Sequence, residues 1–572
     1  MLGPVTGGPL GRSPLGGRNW EGFSAEPLSS INSYLSVKGT QDQGVVATSK
    51  HYSATFHETY LLSFAEAVRA GSGSIMYSYN RVNGTHSCQD DFTLNKILKG
   101  ELDFQGYVMS DWYAQWTDEA SALGGMDMSM PGTDSWDSAL VSLVKNGSVP
   151  SARIDDMYLA LNPGNTNVNV QADHYKVIRT IGEDSATLLK NVRTNGGGLP
   201  LKKSKFLAVS GQDAGANPNG LWFGFWGRIT RTFGVHHDSV GGGSGSSFAP
   251  YIVTTLEGIQ ARAKADATQV NWMLNDLDLD TANLDATVAD TSIVFTYAYQ
   301  VEGLDRDNIT SWSNGDDLAN TVAAQCNDTI VVIHSWVFLM ESWIDNPDIT
   351  AAVFAYYPGR ETGNAIANVL YGEVNPSGKL PFTIGKSLSD YPSNGTATGN
   401  SSYPHVVFEE GNLIDYRWFD ANDITPCFEF GFGLCYTTFS YSGLKVKSTP
   451  GKPTDGVQLT NEPFDGNATL YDVAYTVTAT TKNTGSLSGC EVAQLYLSYP
   501  TSQTKQPLRS LRGFDKLCLN KGQTKTATFK LRQKDCAVWN VVRQTWTIPK
   551  GEFTVHVGSS SRALPLNTTF TV

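Results

Sequence analysis

Apolar residues in the first part of the chain follow two alternating patterns, which together predict strands followed by helices. Short apolar runs that end on polar residues come first, and each is followed by apolar positions three or four residues apart. The runs lie at 45–51, 74–80, 106–111 and 126–130, and the helical patterns at 58–69, 92–102, 118–123 and 135–145. Strands that alternate with helices of this length are typical of parallel βαβ units. We therefore expect a partial (β/α) barrel of the TIM type over residues 1–165.

The rest of the chain changes pattern twice, after a segment beginning at Asn162 that we interpret as a linker. From 175 to 386, apolar runs alternate again with helical stretches and predict an α/β sandwich domain. Its clearest strand patterns lie at 206–210, 292–297, 329–334 and 351–356. After residue 435, apolar positions recur every second residue, as at 472–481, 491–497 and 552–557. This period is typical of an antiparallel sandwich, so the predicted fold class is multidomain α/β with an all-β domain at 435–572.

The third strand pattern ends on a carboxylate, Asp111, next to Trp112. In a (β/α) barrel, side chains at the carboxyl ends of strands face the active-site mouth, which favours a catalytic role. An Asp after a strand also commonly caps the next helix, and the pattern alone does not separate the two interpretations. Other strand ends add Lys50, His51 and Tyr79 to the same mouth. Cations, hydrogen-bond donors, aromatic rings and a carboxylate together suit a sugar.

Several ordered motifs along the chain carry a resemblance to a known family. They lie at 7–14, 17–23, 50–52, 78–80, 108–112, 375–381, 430–434 and 538–542. These motifs resemble those of family 3 glycoside hydrolases, in particular the fungal β-glucosidases. The resemblance implies that Asp111 is the nucleophile and that no cofactor or metal is needed, and it implies a fibronectin type III-like domain at the C-terminus. The residues it places around the non-reducing sugar are Arg18, Lys50, His51, Met76, Tyr79 and Trp112.

A retaining glycosidase needs a second carboxyl group, about 5 Å from the first, to protonate the leaving oxygen. Glu302 follows a hydrophobic strand pattern, and the segment from Glu302 to Arg306 resembles the family loop that carries the acid/base. A solvated loop glutamate is the alternative, and Glu361 and the pair Glu409-Glu410 are weaker candidates because none of them closes a strand. Ser244 matches a family position that contacts substrate, although its glycine-rich loop is equally typical of a flexible turn.

The two carboxyl groups must differ in protonation for such a mechanism to work. Free Asp and Glu titrate near ~4, so one of them has to be shifted by its surroundings. We expect burial and the charge of Asp111 to keep Glu302 protonated. The cations of Lys50 and Arg18, together with His51, are expected to keep Asp111 ionised.

Composition narrows the class of partner. A net charge of −13 and an isoelectric point near 5.2 argue against nucleic-acid binding, because no basic stripe can neutralise phosphates. No apolar run reaches about 18 residues, so the sequence predicts no membrane span. Eight Asn-x-Ser/Thr sequons favour a secreted glycoprotein, although several are expected by chance; they begin at Asn83, Asn146, Asn308, Asn327, Asn394, Asn400, Asn467 and Asn567.

Seven cysteines leave one unpaired if the others form disulfides. We interpret Cys427 and Cys435, which flank a short glycine-rich turn, as a pair. No cysteine pair has the spacing of a zinc site.

Two departures from the family pattern keep a second hypothesis open. A complete barrel takes roughly 250 residues, whereas this region has about 165 and four clear strands, and no signal peptide precedes it. The segment after His51 also enters a helix sooner than in the family. The chain is therefore either a retaining β-glucosidase acting on β-glucosides such as cellobiose, or an inactive, N-terminally truncated or non-catalytic carbohydrate-binding remnant. A β-xylosidase remains an alternative within the family, and the sequence does not predict the oligomeric state.

Overall fold

The computed structural model describes most of the chain. The described residues are 12–23, 26–52, 56–132, 136, 138–157, 171–193, 197–217, 239–246, 249–337, 339–393, 406–449, 468–502 and 506–572. The predicted linker at Asn162 and the first part of the motif at 7–14 lie outside them. Within these ranges, no helix combines the length and the apolar character that a membrane crossing requires.

A small parallel sheet organises the first region. The strands of this region are β1 (Thr48–Tyr52), β2 (Ser74–Tyr77), β3 (Arg81–Val82), β4 (Thr85–His86) and β5 (Tyr107–Met109). The sheet has the order β1-β2-β5, and β3 and β4 form a separate hairpin that follows the end of β2. The helices are α1 (Ser30–Gln41), α2 (Leu61–Arg69), α3 (Glu119–Leu123), α4 (Ser138–Lys145) and α5 (Ser151–Asp156), with π-helical turns at Phe56–Tyr60 and Phe92–Glu101 and 3₁₀ turns at Pro27–Ser29 and Ser87–Gln89.

The fourth predicted strand of this region is wrong as a regular strand. It is reduced to one parallel bridge between Met109 and Met128. The carboxylate of Asp127 accepts the Val108 amide hydrogen bond at 2.8 Å, so a side chain replaces part of the expected backbone pairing. The same carboxylate is held by Arg153 at 2.6 Å. The segment 126–130 is therefore a loop that the side chain of Asp127 fixes against β5.

A six-stranded sheet forms the second domain. Its strands are β6 (Thr187–Asn191), β7 (Phe206–Ser210), β8 (Gln269–Met273), β9 (Thr291–Tyr297), β10 (Thr329–His334) and β11 (Ile349–Phe354). The order is β6-β11-β10-β9-β7-β8, and all pairs are parallel except β6 with β11. The helices are α6 (His174–Ser185), α7 (Thr255–Asp266), α8 (Leu279–Val288), α9 (Gly315–Ala323), α10 (Thr362–Leu370) and α11 (Tyr416–Ala421), with 3₁₀ turns at Gln212–Ala214 and Leu388–Asp390. All four predicted strands are confirmed.

The strand order explains where this domain can hold a ligand. β7 lies between β8 and β9, so the connections that leave β7 and β9 run in opposite directions along the sheet. In open parallel sheets, ligands bind outside the carboxyl ends of the strands at such a switch point. β9 ends at Tyr297, five residues before Glu302, so the loop that carries Glu302 begins at this crevice.

Two antiparallel sheets form the third domain and confirm the predicted sandwich. Its strands are β12 (Phe439–Ser448), β13 (Val473–Asn483), β14 (Gly489–Ser498), β15 (Ser510–Leu519), β16 (Thr524–Arg532), β17 (Val538–Asn540), β18 (Thr545–Thr547), β19 (Glu552–Gly558) and β20 (Leu566–Thr571), with short helices α12 (Ala468–Tyr471) and α13 (Gln533–Cys536). The sheets have the orders β12-β13-β16 and β15-β14-β19-β20, and β17 pairs with β18. Along β13, Tyr475, Val477 and Ala479 lie in the core. Their spacing follows the period-two pattern of the sequence.

The predicted pairing of Cys427 with Cys435 is wrong. The structure leaves both thiols free and joins Cys490 to Cys518 across β14 and β15. Cys427 packs against the core of the second domain, whereas the Cys435 thiol donates to Asn375 Oδ1 at 3.0 Å. The glycine-rich turn therefore directs the two side chains to different surroundings.

The third domain packs on α2 of the first region. The indole of Trp539 stacks on the imidazole of His57, with ring centroids 3.7 Å apart. The fully buried carboxylate of Glu66 contacts Arg69 at 2.8 Å and also pairs with two cations of the third domain, Arg532 and Lys534. Residues of both regions share one hydrophobic cluster. The first region is thus supported by a neighbouring domain along the first of its predicted helical patterns, at 58–69.

Candidate active site

Asp111 lies directly beyond β5 and is only 8% exposed. The Trp112 amide donates to its Oδ1 at 2.7 Å, while the buried Oδ2 accepts no hydrogen bond from the part of the chain that the structure describes. The next helix, α3, has Asp118 and not Asp111 at its N-cap. The helix-capping interpretation is therefore wrong. Burial raises the pKa of Asp111.

Two residues at the end of β1 approach the same carboxylate. His51 Nε2 lies 3.3 Å from Asp111 Oδ2. Burial, with the charges of Arg18 and Lys50, lowers the pKa of His51 to about 3, so the imidazole is neutral and the contact is not an ion pair. Burial also lowers the pKa of Lys50, and Arg18 adds to this effect. The mouth is thus lined by a neutral ring and a desolvated ammonium group.

Glu302 is held by a second loop of its own domain, Gly241–Ser246. The Gly242 amide donates to the Gln300 carbonyl at 2.9 Å, and the Glu302 amide donates to the Gly242 carbonyl at 3.1 Å. The Ser244 amide donates to Glu302 Oε2 at 2.7 Å. Gly243 has a φ of +106°, and a Cβ there would lie 2.4 Å from the Cβ of Glu302. The glycine-rich segment is therefore a fitted support for this carboxylate.

Arg18 connects the first region to Glu302. Its Nη1 lies 2.6 Å from Glu302 Oε1, and its Nε and Nη2 bind both oxygens of Glu21 at 2.8 and 2.7 Å. Arg18 Nη2 also donates to Ser244 Oγ at 3.3 Å. The guanidinium therefore uses three of its donors on carboxylates from two different domains. The bidentate contact with Glu21 and the single contact with Glu302 together fix the orientation of the guanidinium.

The backbone around Arg18 is docked against the loop that follows Glu302. The Gly17 amide donates to Asp305 Oδ1 at 3.0 Å, and the Arg306 amide donates to the Leu15 carbonyl at 2.9 Å. A Cβ on Gly17 would lie 2.1 Å from the Leu304 carbonyl oxygen and 2.2 Å from that of Val301. No residue other than glycine fits this contact between the two regions.

The protonation pattern is the reverse of the one expected from the sequence. Burial alone would raise the pKa of Glu302, but hydrogen bonds from Ser244 and the charge of Arg18 outweigh it and lower the pKa. Burial raises the pKa of Asp111 instead. The two pKa shifts therefore run opposite to the expected ones, because the guanidinium of Arg18, which was expected beside Asp111, binds Glu302.

The remaining predicted site residues are placed differently from one another. Tyr79 and Trp112 are both exposed at the mouth, and the Tyr79 hydroxyl donates to the Trp112 carbonyl at 2.8 Å. Ser244 reaches the site through its amide and hydroxyl. Met76 is buried within β2, where its backbone pairs with Met109, so it does not present its side chain at the mouth surface.

Sequence reasoning missed the role of Glu21, and it ranked Glu361 and the pair Glu409-Glu410 below Glu302. Glu21 orients Arg18, and the three-residue spacing of the two opposite charges within one motif was the available signal. Glu361 is buried against Arg179, and Glu410 pairs with Arg12. Both of these glutamates have structural partners away from Asp111.

Arg18, Lys50 and Tyr79 each interact electrostatically with both Asp111 and Glu302. The structure thus brings eight of the nine predicted site residues, all except Met76, into direct contact or electrostatic interaction at one mouth. In the ranges that the structure describes, no three or more His, Cys, Asp or Glu side chains are grouped so as to hold a metal ion.

Comparison with known families matches each of the three regions. The model of the glycosyl hydrolase family 3 N terminal domain matches residues 4–159, and that of the family 3 C-terminal domain matches residues 186–436. A fibronectin type III-like domain matches residues 491–561.

Relatives and solved structures extend the likeness over the whole chain. A probable beta-glucosidase L of Aspergillus fumigatus is 41% identical over 620 residues, covering 98% of this chain and 81% of the relative. The beta-glucosidase cel3A of Pyricularia oryzae is 41% identical and covers 100% of this chain and 83% of its own length. The crystal structure of beta-D-glucoside glucohydrolase from Trichoderma reesei has a TM-score of 0.92 at 39% identity, covering 100% of this chain and 85% of that one.

Proposed function

The chain belongs to glycosyl hydrolase family 3, and from this premise we propose that it is a β-glucosidase that releases terminal β-D-glucose from the non-reducing end of β-glucosides. The relatives named as beta-glucosidases support the substrate class. The observation that carries the proposal is that Arg18 and Lys50 interact with both Asp111 and Glu302, so two carboxylates from different domains share one site. Domain boundaries of 1–165, 175–386 and 435–572 are part of the proposal.

The proposed reaction is a double displacement with retention at the anomeric carbon. Asp111 attacks the anomeric carbon with its unpartnered Oδ2 while Glu302 gives its proton to the leaving oxygen, and the glycosidic bond breaks. Glu302 then removes a proton from water, which attacks the same carbon and releases Asp111. The Trp112 amide fixes the attacking carboxylate throughout, because it holds the other oxygen.

Glu302 must gain a proton before the first step, and Arg18 opposes this in the structure. We propose that sugar hydroxyls compete for the guanidinium of Arg18. When the cation moves away from Glu302, the pKa of Glu302 rises, because burial then has the larger effect. Binding of the substrate and protonation of the acid are then coupled. His51 is neutral and lies 3.3 Å from Asp111 Oδ2, so it adds no positive charge beside the nucleophile.

We also propose that the protein is secreted and carries N-linked glycans. The asparagines of the five sequons within the described residues, Asn83, Asn146, Asn308, Asn327 and Asn567, are all exposed. Glycosylation needs such accessibility, which supports the proposal. A mass shift on treatment with a peptide N-glycosidase tests it on the protein as secreted from its natural host.

The first experiment is hydrolysis of dinitrophenyl β-D-glucoside and of cellobiose by the full chain. Asp111→Asn is expected to lower kcat on both substrates by at least ~10³-fold, because it removes the nucleophile. Glu302→Gln is expected to cost ~10²- to 10⁴-fold on cellobiose and far less on the dinitrophenyl glucoside, whose leaving group needs no proton. Glu552→Gln, at an exposed residue of β19 in the third domain, is the matched control.

Azide separates the two roles by product stereochemistry. Azide added to Glu302→Ala is expected to restore turnover and give β-glucosyl azide, whereas with Asp111→Gly it gives the α-anomer, since one displacement replaces two. If the unmodified chain binds cellobiose but hydrolyses neither substrate, the chain is a carbohydrate-binding remnant and the proposal is wrong. Faster hydrolysis of the matching β-xyloside would assign the chain to the β-xylosidases instead.

A further inference from the structure

Two large aromatic side chains stand exposed immediately beyond the nucleophile position. Tyr113 is 71% exposed and Trp116 is 61% exposed. Both follow Trp112 on the segment that leaves the carboxyl end of β5. Neither fills a core, and exposed apolar surface beside a site commonly marks where a ligand binds.

A second segment brings another ring to the same place. The β3–β4 hairpin leaves the carboxyl end of β2, and β2 is the neighbour of β5 in the sheet. The imidazole of His86, on β4, stacks on the indole of Trp116 with centroids 4.6 Å apart and planes 22° apart. The stack therefore joins two strand-end segments at the mouth that contains Asp111.

The stack is oriented and uncharged. The Arg81 guanidinium contacts His86 Nε2 at 2.8 Å through Nη2 and at 3.1 Å through Nε. Burial and the charge of Arg81 lower the pKa of His86, so a neutral ring faces the indole. The outer face of Trp116 is therefore a fixed apolar surface with a cation at its edge.

Tyr113 is held in a conformation that few side chains adopt. Its φ is +57°, in the left-handed region, while its amide donates to the Met130 carbonyl at 2.9 Å. A β-carbon is disfavoured at such a position, so the tyrosine ring is directed outward at a backbone cost. The ring projects from the residue next to Trp112, which the resemblance places against the non-reducing sugar.

We propose that Tyr113 and Trp116 form a platform for the leaving group of the substrate, the aglycone platform. Its occupant is a second pyranose ring or an aromatic aglycone, whose apolar face lies on the rings while Arg81 binds hydroxyls at the rim. Continuity with the site around Asp111 is the reason for this occupant. The inference rests on the proposed β-glucosidase function and deepens it by assigning the residues that select the leaving group.

The test compares substrates that differ only in the leaving group. Trp116→Ala is expected to lower kcat/KM for cellobiose by about tenfold, the size of one aromatic stacking contact, and Tyr113→Ala to act in the same direction. β-Glucosyl fluoride has no leaving ring, so its kcat/KM is expected to stay within about twofold of the unmodified chain. Trp116→Phe is expected to recover most of the loss. Trp272→Ala, at a tryptophan 52% exposed on β8, is the matched control.

Partitioning of the glucosyl enzyme gives a readout that a structural role would not move. Dinitrophenyl β-D-glucoside is the donor and forms the glucosyl enzyme on Asp111 with release of dinitrophenolate. A hydroxyl of the acceptor, cellobiose, then attacks the anomeric carbon and passes its proton to Glu302, while the bond from that carbon to Asp111 breaks. Trp116→Ala is expected to shift products from transfer toward hydrolysis, because the acceptor uses the same platform.

The outcomes separate this inference from the proposed function. Equal losses on cellobiose and β-glucosyl fluoride, or no loss on either, would overturn the platform while leaving the β-glucosidase intact. If the unmodified chain hydrolyses neither substrate, the proposed function fails. The platform is then tested by calorimetric titration with cellobiose, and unchanged affinity in Trp116→Ala overturns it as well.

Discussion

Arg18 holds Glu302 and Glu21 at once, and this sharing sets the acidity of the proposed acid/base. Arg18→Met keeps an unbranched, flexible stem at this position and removes the charge. Without the cation the pKa of Glu302 rises, so more of the protonated acid persists at a given pH. The alkaline limb of the kcat/KM profile for cellobiose is therefore expected to move to higher pH. The kcat/KM itself is expected to fall, because Arg18 is also proposed to bind the sugar.

That profile reports the free enzyme, which is the state in which Arg18 contacts Glu302. Arg262→Met is the matched control, since Arg262 pairs with Glu373 on the second domain. An alkaline limb that stays in place in Arg18→Met would show that this ion pair does not govern the acid.

At the scale of single residues, the sequence predicted positions better than partners. Asp111 and Glu302 were found because each closes an apolar run, and strand ends in parallel sheets converge on one edge. The contact of Arg18 with Glu302 could not be read, because it joins loops 284 residues apart along the chain. The protonation pattern was predicted in reverse for the same reason: it depends on which carboxylate the guanidinium reaches.

The loop Gly241–Ser246 is the element on which the geometry of Glu302 depends. Gly243→Ala would place a Cβ 2.4 Å from that of Glu302 and would also strain a φ of +106°. We expect a fall in kcat on cellobiose of about tenfold or more, since general acid catalysis requires correct placement. Activity on dinitrophenyl β-D-glucoside, which needs no acid, is expected to change less.

Gly303→Ala is a closely matched control for Gly243→Ala. Gly303 also has a positive φ, of +83°, but a Cβ there meets nothing within 4 Å. It therefore introduces strain beside Glu302 without a collision. Equal losses in the two variants would attribute the effect to backbone strain and remove the supporting role of Gly243.

Strands with continuous apolar runs were predicted well. Segments in which a side chain takes the place of a backbone hydrogen-bond partner were not. β7 and β10 match their predicted runs because both are buried on both faces. The segment at 126–130 failed because Asp127 takes over the pairing of Val108. The pairing of Cys490 with Cys518 depends on the register of β14 against β15, which periodicity does not specify.

At the scale of the whole molecule, Glu66 joins the first region to the third domain. Burial alone would raise its pKa, but Lys534, Arg532 and Arg69 lower it to about 2. Because the folded pKa lies below the ordinary value, the ionised group stabilises the fold above pH ~4.5, and this contribution is lost as the pH falls toward ~2. Glu66→Gln is expected to cost about 3 kcal/mol at neutral pH, since it leaves buried cations unpaired.

Thermal unfolding followed at a series of pH values measures this effect. The difference between the unmodified chain and Glu66→Gln is expected to be largest above pH ~5 and to shrink on acidification. Glu119→Gln, an exposed substitution in the same region, is expected to change little. A difference that does not depend on pH would mean that the shape of the side chain, and not its charge, supports the interface.

Gly17 packs so closely against the carbonyls of Val301 and Leu304 that no space remains between the first region and the second domain at this contact. Since the two proposed catalytic carboxylates come from these separate regions, a relative shift of a fraction of an ångström would stop turnover while both regions stay folded. We therefore expect activity to be lost on heating at a temperature below the one at which the domains unfold. Substitutions that strengthen this contact between the two regions are therefore expected to prolong activity on heating more than substitutions that repack the interiors of the domains.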